Sequence, residues 1–420
     1  MEFKKVSVIG LGYIGLPTAV IFANNNIDVT GVDIDRDVRK KINSGKAHIF
    51  EPGLDKLLEG AVKKGKLLAL RKPVEADAFI ITVPTPFLEE SDRGIKVPDL
   101  TYVNKAVDTI SEVLKKGDLI ILESTSPVGT TNSITERLLK LRPDLSLPIG
   151  DSVSPDINIA YCPERVIPGN ILDELVNNDR VIGGMTSACS KKASALYKKF
   201  LKANCFITDA KTAEMVKLTE NSSRDAQIAF ANELSMICDE LNIDVWELIS
   251  LANRHPRVNI LEPGPGVGGH CIAVDPWFIA HKSPGMSRLI QEARHVNDSK
   301  PDWVISKVLF EVDKLCKSMN EEDIVITCLG LTFKADIDDI RESPALKIFN
   351  ELERKHTGNV FAVEPNISKD DMGFNLISID KALKVSNIIV ALVDHKQFKK
   401  IKFKNSTVII DCKGIYGEYK

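Results

Sequence analysis

The fold of this 420-residue chain is decided by the segment KVSVIGLGYIGLPTAVIFANNNIDVTGVD, residues 5–33. An apolar strand pattern leads into the motif GLGYIG, which is followed by a helix pattern and a second strand. Gly10 permits a tight turn, Gly12 lets the backbone approach a pyrophosphate, and Gly15 lets helix and strand pack closely. The N-terminus of the helix then faces the phosphates with its unbonded N–H groups. The segment therefore predicts a site for a dinucleotide.

The acidic residue at the end of the second strand bears on the identity of that dinucleotide. Asp33 follows Gly15 by 18 residues, where its carboxylate can accept hydrogen bonds from the adenosine ribose hydroxyls. A carboxylate repels a 2′-phosphate, which favours NAD as the cofactor, and the nearby Arg36 leaves NADP disfavoured rather than excluded. Tyr13 and Ile14, inside the motif, are assigned to the same site. The alternatives are a chance glycine turn and another nucleotide such as FAD.

Composition excludes several classes of partner and location. The chain carries 55 basic and 58 acidic residues, a net charge of −3, which predicts neither a nucleic-acid nor a membrane-surface protein. Glycines and Pro17 interrupt the apolar stretch 6–23, so we interpret it as a strand and a helix, not a signal peptide. Eight cysteines are scattered without a C-x-x-C pair or zinc-ligand spacing. We expect no metal site, reduced thiols and a cytoplasmic protein.

Strand and helix patterns alternate in the first and last parts of the chain, with helical patterns between them. Such alternation predicts mostly parallel sheets with helices on both faces. One long helix is predicted over 209–241, followed by a loop rich in Pro and Gly over 256–276, and further helices over 287–297 and 303–319. We predict an α/β protein with two Rossmann-like doubly wound domains joined by a central helical domain. The predicted domains are 1–205, 206–300 and 301–420, and the predicted strands are 5–9, 29–32, 78–83, 119–123, 159–161, 180–182, 324–329, 360–363, 388–393 and 408–411.

Polar residues follow several of the predicted strands, and parallel strands gather such residues at one edge of a sheet. Thr85 in VPTP and Thr125 in EST are candidates to contact the cofactor or a catalytic water, with capping of the next helix as the alternative. In YCPER, Glu164 is a candidate general acid or base. Arg165 beside it is a candidate to bind a phosphate or a sugar substituent.

The segment PGPGVGGHC, residues 263–271, is the strongest candidate for a reactive centre. Its glycines, Gly268 among them, give a backbone that can come very close to a ligand. Cys271 directly after them can be exposed and surrounded by backbone N–H groups, the setting that a nucleophilic cysteine needs. Asp275 follows close enough to orient a water or a base. The alternative is a rigid turn with an idle cysteine.

Two further pairs of residues are candidates for binding anionic groups. Lys217 and Asn221 stand four residues apart on the long helix and share a face, so a cation and an amide donor could hold an oxyanion. An exposed helix surface is the alternative. Lys334 and Arg341 lie in a strand–loop–helix pattern suited to a diphosphate, with a solvated charge cluster as the alternative.

Together these segments resemble the UDP-sugar 6-dehydrogenase family over essentially the whole chain. The motifs that carry the resemblance are GLGYIGLP at 10–17, VPTP at 83–86, EST at 123–125, CPER at 162–165, AEMVKLTEN at 213–221, PGPGVGGHCIAVDPWF at 263–278 and GLTFKADIDDIRESP at 330–344. Within the family, CPER and GGHCIAVDPWF resemble the branch that acts on UDP-N-acetylmannosamine. The N-acetylglucosamine branch is its near neighbour, and UDP-glucose enzymes usually have Phe after Pro-Glu and Ser before the cysteine.

The resemblance implies a four-electron oxidation of the C6 alcohol of UDP-N-acetyl-D-mannosamine to a carboxylate, with two NAD consumed per sugar. It implies that Cys271 carries a thiohemiacetal and then a thioester, and that Lys217 and Asn221 stabilise the oxyanions. Glu164 would serve in acid–base steps, and Thr125 and Asp275 would order the water that hydrolyses the thioester.

The resemblance also implies how the substrate and a second subunit are bound. Lys334 and Arg341 would hold the UDP-sugar, and Arg257 would reach the substrate of a partner subunit in a homodimer formed through the central helix. Lys413 departs from the Arg that many members carry, so a point charge replaces a bidentate group there. The rival functions are a two-electron hydroxyacid dehydrogenase and a non-catalytic NAD-responsive binding protein.

Overall fold

The computed structural model divides the chain into two compact units. The first comprises Met1–Glu220 and Trp277–Pro284, and the second Asn221–Pro276 and Gly285–Lys420. The structure describes residues 3–92, 94–150, 154–167, 169–269, 271–367 and 374–417, with the backbone alone for 89–92. His270 of the glycine-rich motif therefore lies outside the described residues.

The first unit begins with the strand, loop and helix that the opening segment predicts. Its strands are β1 (Lys5–Ile9), β2 (Asp28–Val32), β3 (Leu67–Leu70), β4 (Ala78–Ile81), β5 (Phe87–Asp92), β6 (Ile95–Pro98), β7 (Leu119–Leu122), β8 (Asn158–Tyr161), β9 (Arg180–Gly184) and β10 (Cys205–Asp209). Its helices are α1 (Gly15–Asn24), α2 (Arg36–Asn43), α3 (Leu54–Lys63), α4 (Thr101–Ser111), α5 (Thr130–Leu141), α6 (Ile171–Asn177) and α7 (Ser187–Tyr197).

Eight of these strands form one sheet in the order β10-β9-β8-β7-β4-β1-β2-β3. Every described pairing in it is parallel except that of β8 with β9. Strands β4, β7 and β8 are buried along their whole length, as expected of parallel strands covered on both faces. The strand order reverses between β1 and β4, so the crevice for a ligand lies at the carboxyl ends of these strands.

One long helix, α8 (Ala210–Glu240), runs from the first unit into the second and confirms the helix predicted over 209–241. Asp209 caps it, because its carboxylate accepts a hydrogen bond from the Thr212 N–H at 3.0 Å. The second unit continues with α9 (Val245–Ala252), and a short helix, α10 (Asp275–Lys282), begins in the second unit and ends in the first.

A single helix, α11 (Arg288–Leu315), replaces the two helices predicted over 287–297 and 303–319. The prediction was wrong because Pro301 lies inside the helix instead of ending it. A proline has no N–H to donate to the carbonyl four residues earlier, which here belongs to Asn297. That carbonyl faces the glycine-rich loop, since a Cβ added at Gly266 would lie 3.2 Å from it.

The second unit contains a four-stranded parallel sheet in the order β12-β11-β13-β14. Its elements are β11 (Ile326–Leu329), α12 (Pro344–Lys355), β12 (Val360–Val363), α13 (Ile379–Val385), β13 (Ile388–Ala391) and β14 (Val408–Asp411). The layout repeats that of β2-β1-β4-β7 in the first unit. These two sheets, which are parallel except between β8 and β9 and are flanked by helices, confirm the predicted α/β fold class.

The turn after the first strand is built in the same way in both units. Gly10 and Gly330 adopt φ values of +94° and +88°, and each donates its N–H to the last residue of the neighbouring strand. In the second unit the Glu364 carboxylate accepts a hydrogen bond from the next N–H, that of Leu331, at 2.7 Å. In the first unit the Asp33 carboxylate accepts the corresponding hydrogen bond from the Leu11 N–H. The three-domain division predicted from the sequence stays a prediction. Among the described residues, no helix combines the length and apolar character needed to cross a bilayer.

Candidate active site

The glycine-rich loop of the first unit has the geometry of a phosphate cradle. A Cβ added at Gly15 would lie 1.8 Å from the Gly10 carbonyl oxygen, so only glycine lets the helix start this close to the strand. A Cβ added at Gly12 would meet no atom within 4 Å, which shows that the space beside this residue is open to a ligand. Tyr13 is 39% exposed, and Ile14 stands half-buried at the N-cap position of α1.

The carboxylate of Asp33 lies against this loop. Its Oδ2 accepts a hydrogen bond from the Leu11 N–H at 3.0 Å and its Oδ1 accepts one from the Asp35 N–H at 2.9 Å. Asp33 is half-buried, and its backbone carbonyl accepts a hydrogen bond from Arg39 at 2.7 Å. An open glycine turn, a helix N-terminus and a carboxylate at the end of β2 together fit a dinucleotide with a free ribose 2′-hydroxyl.

The two predicted threonines lie next to each other at the ends of β4 and β7. The Thr85 hydroxyl donates a hydrogen bond to the Thr125 carbonyl oxygen at 2.7 Å, so it does not cap the following helix. Ser124 adds a second link by donating its hydroxyl to the Val83 carbonyl at 2.7 Å. Both threonines are half-buried at the edge of the sheet where the strand order reverses.

Glu164 and Arg165 are both held by ion pairs within the first unit. Glu164 is buried, and its carboxylate accepts hydrogen bonds from the Arg165 N–H at 2.6 Å and from Arg180 at 3.0 Å. The guanidinium of Arg165 contacts the Glu220 carboxylate through two nitrogens, at 2.7 and 3.1 Å. The predicted contact of Arg165 with the substrate therefore competes with an ion pair in this structure.

A buried charge cluster that the sequence analysis missed surrounds Glu164. Arg180, at the start of β9, is 3% exposed and also binds Glu123 at 3.1 Å. Its guanidinium stacks on the ring of Tyr197 at 4.4 Å, and the Tyr197 hydroxyl donates to Glu123 at 3.1 Å. Burial raises the pKa of Glu123 to about 7 and that of Cys162 to about 12. Glu123 and Cys162 stand in the EST and CPER segments, but Arg180 and Tyr197 stand in none of the quoted motifs, so the sequence did not indicate the cluster.

Lys217 and Asn221 lie one turn apart on α8, at the point where the first unit passes into the second. Lys217 is 9% exposed, which contradicts the alternative that this face of the helix is an ordinary solvated surface. Asn221 is half-buried and belongs to the second unit.

Cys271 is exposed at the end of the glycine-rich loop, as a nucleophile must be. Asp275, four residues later, is 2% exposed and opens α10. The Asn221 side-chain amide donates a short hydrogen bond to the Asp275 carboxylate. Asn221, Asp275 and Cys271 therefore lie together in the second unit, because a hydrogen bond joins Asn221 to Asp275 and the Asp275 N–H donates to the Cys271 carbonyl at 2.9 Å.

The glycines before Cys271 are needed for packing within the second unit. A Cβ added at Gly268 would lie 2.4 Å from the Glu342 carbonyl oxygen and 2.8 Å from the Pro344 ring. Gly269 has a φ of +83°, and a Cβ there would lie 3.0 Å from the Phe333 ring. The loop therefore approaches the 330–344 segment more closely than any residue with a side chain would allow.

A buried polar network, also missed from the sequence, holds the start of this loop. The Gly264 N–H donates to the Asn232 side chain at 2.8 Å, and Asn232 donates to Asn297 at 2.8 Å. Asn297 in turn donates to the Asp225 carboxylate at 2.8 Å, and Arg294 pairs with the same carboxylate at 2.6 Å. The network fixes the loop to α8 and α11.

The remaining predicted residues lie at the surface of the second unit. Lys334 and Arg257 are exposed, and Arg341 is exposed and paired with Asp339 at 2.6 Å. Lys413 lies beside the glycine-rich loop, because a Cβ at Gly264 would be 3.7 Å from its Nζ. A cation is thus present at the position where the sequence analysis noted a Lys for Arg.

The predicted residues fall into two groups. In the first unit the structure brings together the glycine loop at residues 10–15, here called the dinucleotide loop, with Asp33, Thr85 and Thr125. Glu164, Arg165 and Lys217 belong to the same unit. In the second unit it brings together Asn221, Gly268, Cys271 and Asp275 with the segment that carries Lys334 and Arg341. The carboxylate of Glu364 was missed, although VFAVEPN repeats the pattern of VTGVDID around Asp33 and could have indicated it.

Comparison with known families gives matches along nearly the whole chain. Three domain descriptions of the UDP-glucose/GDP-mannose dehydrogenase family match: the NAD binding domain at residues 4–201, the central domain at 211–299 and the UDP binding domain at 327–418. The dinucleotide loop falls in the first, Cys271 in the second and Lys334 in the third.

Individual proteins are similar over the same length. A UDP-N-acetyl-D-mannosamine dehydrogenase of Yersinia pestis is 55% identical, over 99% of this chain and 100% of that protein. An NDP-N-acetyl-D-galactosaminuronic acid dehydrogenase of Ralstonia nicotianae is 52% identical, over 99% of this chain and 97% of that protein. The solved structure of a UDP-D-ManNAc dehydrogenase from Pyrococcus horikoshii superposes with a TM-score of 0.88 at 38% identity, over 99% of this chain and 96% of that one.

Proposed function

The chain belongs to the UDP-glucose/GDP-mannose dehydrogenase family, and from this we propose that it oxidises UDP-N-acetyl-D-mannosamine to UDP-N-acetyl-D-mannosaminuronate. The observation that carries the proposal is the exposed Cys271, placed at the end of a glycine-rich loop with the Asn221–Asp275 pair beside it. A thiol in this setting can be a nucleophile toward an aldehyde.

The cofactor of the family is NAD, and the residues of the first unit fit it. The backbone at Gly12 and the N-terminus of α1 would bind the pyrophosphate, and the Asp33 carboxylate would accept hydrogen bonds from the ribose hydroxyls. Bound NAD supplies a hydride acceptor, and two molecules take up the four electrons that separate an alcohol from a carboxylate. Thr85, Thr125, Tyr13 and Ile14 would line the rest of this site.

The first oxidation removes a hydride from C6 of the sugar and a proton from its hydroxyl, which leaves an aldehyde. A base must accept that proton, and Glu164 or a water that it orders would do so. Lys217 and Asn221, one turn apart on α8, would donate hydrogen bonds to the negative oxygen that develops.

The thiolate of Cys271 then forms a carbon–sulfur bond to the aldehyde carbon, and the carbonyl oxygen takes a proton to give a thiohemiacetal. Loss of a second hydride from this carbon, with the hydroxyl proton, leaves a thioester. The covalent step is needed because a bare aldehyde has no hydroxyl oxygen from which electrons can expel a hydride.

Hydrolysis completes the reaction. Water attacks the thioester carbon, the carbon–sulfur bond breaks, and Cys271 leaves as the thiolate while a carboxylate is formed. We assign the ordering of this water to Asp275 and Thr125, with Glu164 as the group that accepts its proton. The short hydrogen bond from Asn221 orients the Asp275 carboxylate for this task.

The substrate would be held by cations and backbone groups. Lys334 and Arg341 would bind the diphosphate, Gly268 would offer its backbone, and Arg165 would contact the sugar after leaving Glu220. The 52% identity to an NDP-N-acetyl-D-galactosaminuronic acid dehydrogenase supports a second candidate substrate with a different amino sugar. UDP-N-acetylglucosamine and UDP-glucose are the further alternatives.

One assay separates this function from its rivals. The purified protein is incubated with UDP-N-acetylmannosamine, UDP-N-acetylglucosamine, UDP-N-acetylgalactosamine and UDP-glucose, and the NADH formed per sugar consumed is counted. We expect two NADH per UDP-N-acetylmannosamine. One NADH per substrate would support a two-electron dehydrogenase, and NAD binding without turnover would support a binding protein. A Cys271→Ala variant that forms uronate at the wild-type rate would refute the covalent mechanism.

We also propose that the protein is a cytoplasmic homodimer formed through α8. Phe230 and Ile237 on this helix are 55% and 43% exposed, and Leu241, directly after its last residue, is 60% exposed. A face of this kind on a long helix is suited to burial against a second copy. Arg257 would then reach the substrate bound by the partner copy.

A further inference from the structure

The buried cluster around Arg180 contains two carboxylates and a single cation. Glu123, directly after β7, binds one end of the guanidinium at 3.1 Å, and Glu164, after β8, binds the other end at 3.0 Å. The side chains of Glu123 and Arg180 are 0% and 4% exposed, and that of Glu164 is 9% exposed. The cluster therefore has almost no water with which to stabilise an uncompensated charge.

One guanidinium cannot neutralise two carboxylates in such a place. If both Glu123 and Glu164 were ionised, the cluster would carry one net negative charge in the protein interior, which is costly. The two carboxylates do not share this cost equally. Glu123 is the deeper of the two, and one of its oxygens has no hydrogen-bond partner among the described residues, whereas Glu164 also accepts the Arg165 N–H.

We infer that Arg180 and Glu123 are positioning residues that hold the Glu164 carboxylate in place and set its charge for proton transfer. The inference rests on the proposed function, because it assigns a supporting pair to the proposed acid–base residue. Arg180 fixes the orientation of Glu164 through a rigid guanidinium, which the stacking on Tyr197 in turn holds in plane.

The two carboxylates then have different tasks. Glu123 keeps a proton below about pH 7, because burial raises its pKa to about 7, whereas Glu164 is the group proposed to act as the base. When Glu123 loses its proton at higher pH, it draws the guanidinium toward itself. The guanidinium then compensates less of the charge at the Glu164 side chain, which favours proton transfer to that group.

The groups that face Arg180 come from every element packed around it. They are Glu123 from the end of β7, Cys162 and Glu164 from the segment after β8, and Tyr197 from α7. The pKa of the Cys162 thiol is raised to about 12 by burial, and that of the Tyr197 phenol is raised too, so both stay neutral at physiological pH. Glu123 is thus the group whose proton changes the charge of the cluster near pH 7.

The test uses Glu123→Gln in the full-length enzyme. This change is nearly isosteric and matches the neutral form of Glu123, so the variant is expected to fold. We measure kcat for UDP-N-acetylmannosamine from pH 6 to 8 and take the ratio of variant to wild type, in which the pH effects of other groups cancel. The ratio should be near one at pH 6 and fall about threefold by pH 8, with a midpoint near 7. A ratio that is constant or rises across this range overturns the inference.

Arg180→Lys is the second variant. A lysine keeps the charge but cannot bind two carboxylates with a planar fork, so kcat should fall about tenfold or more. The KM for the sugar and the Kd for NAD should change less than about twofold, since the substitution leaves both binding sites untouched. A wild-type kcat overturns the inference. If this variant does not fold, Glu123→Gln decides the question.

Two controls keep the outcomes apart. Asp118→Asn removes another buried carboxyl, at the opposite end of β7, and its kcat ratio to wild type should not depend on pH. Glu164→Gln tests the proposed function on its own. If it lowers kcat while Glu123→Gln gives a flat ratio, the role of Glu164 survives and the inference fails. If Glu164→Gln keeps the wild-type kcat, the role proposed for Glu164 fails and the inference falls with it.

Discussion

Replacing Gly268 with alanine is a direct test of how the second unit positions its nucleophile. The added Cβ would lie 2.4 Å from the Glu342 carbonyl oxygen, 2.8 Å from Pro344 Cδ and 2.9 Å from Phe333 Cβ. Carbon atoms prefer separations of about 3.5–4.0 Å, so the loop must retreat by about 1 Å. The neighbours on the other side are a backbone carbonyl and a proline ring, which have little freedom to yield.

The size of the effect follows from this displacement. Cys271 lies three residues after Gly268, so the thiol moves with the loop. Misplacement of a reacting group by about 1 Å can cost about a hundredfold in rate. Overpacking costs about 1–3 kcal/mol of stability, which is less than the about 5–15 kcal/mol by which native proteins are stable. We therefore expect kcat to fall about a hundredfold while the protein stays folded.

The assay combines NADH formation with thermal unfolding and with the rate at which iodoacetamide alkylates Cys271. Gly285→Ala in the same unit is the matched control, because its Cβ would meet no atom within 4 Å and its φ is not left-handed. This control should leave all three measurements unchanged. A Gly268→Ala enzyme with wild-type kcat and wild-type alkylation would show that the close packing does not position the thiol.

Three further predictions concern the cofactor, the dimer and stability. Asp33→Ala should raise the Kd for NAD about tenfold or more and weaken the preference over NADP, measured by fluorescence titration; an unchanged preference would contradict the assigned role. Phe230→Asp should give monomers in light scattering, whereas Phe310→Asp, at a residue equally exposed at 57%, should leave the dimer intact; two dimeric variants would rule out the α8 interface. Glu123 should make the free energy of unfolding of the wild type fall as pH rises from about 5 to 8. In this range the folded state holds the Glu123 proton more tightly than the unfolded state does, because the pKa of Glu123 is raised to about 7 in the folded protein. The resulting stabilisation is complete below the unfolded pKa and is lost as pH rises through 7. Glu123→Gln should remove up to about 3 kcal/mol of this pH dependence in denaturant titrations, and an unchanged slope would refute the assignment.

Most of the fold could be predicted because its signals are local. The glycine turn after β1 and the Gly- and Pro-free stretch of α8 are each recognised from contiguous residues. The error at Pro301 is instructive, since a local rule ended a helix that tertiary packing continues. Asn297 gives up one helical hydrogen bond there, and burial against the glycine-rich loop stabilises the helix nonetheless.

The candidate site was predictable only where a motif carries its chemistry in sequence. Cys271, Lys217 and Asp33 stand in such motifs. In the structure Cys271 is exposed, Lys217 is buried and Asp33 accepts a hydrogen bond from the loop at Leu11, and their roles stay predictions. Arg180 and Asn232 act through partners that are distant in sequence, so no spacing could indicate them. Neighbouring strands and helices bring these partners together, and only the folded chain shows it.

The dinucleotide loop and the proposed nucleophile belong to different units, and this bears on how one NAD is exchanged for the next during the proposed reaction. In the proposed reaction NADH must dissociate and a second NAD must bind between the two oxidation steps, while the oxidised sugar intermediate stays bound. The dinucleotide loop belongs to one unit, whereas the thiol and the segment that carries Lys334 belong to the other. On the proposed function, the groups that would bind the reacting carbon and the diphosphate therefore belong to a different unit from the dinucleotide loop. The close approach of Gly268 to the Glu342 carbonyl packs the segment that carries Cys271 directly against the segment that carries Lys334 and Arg341, so a shift of either segment is passed on to the other.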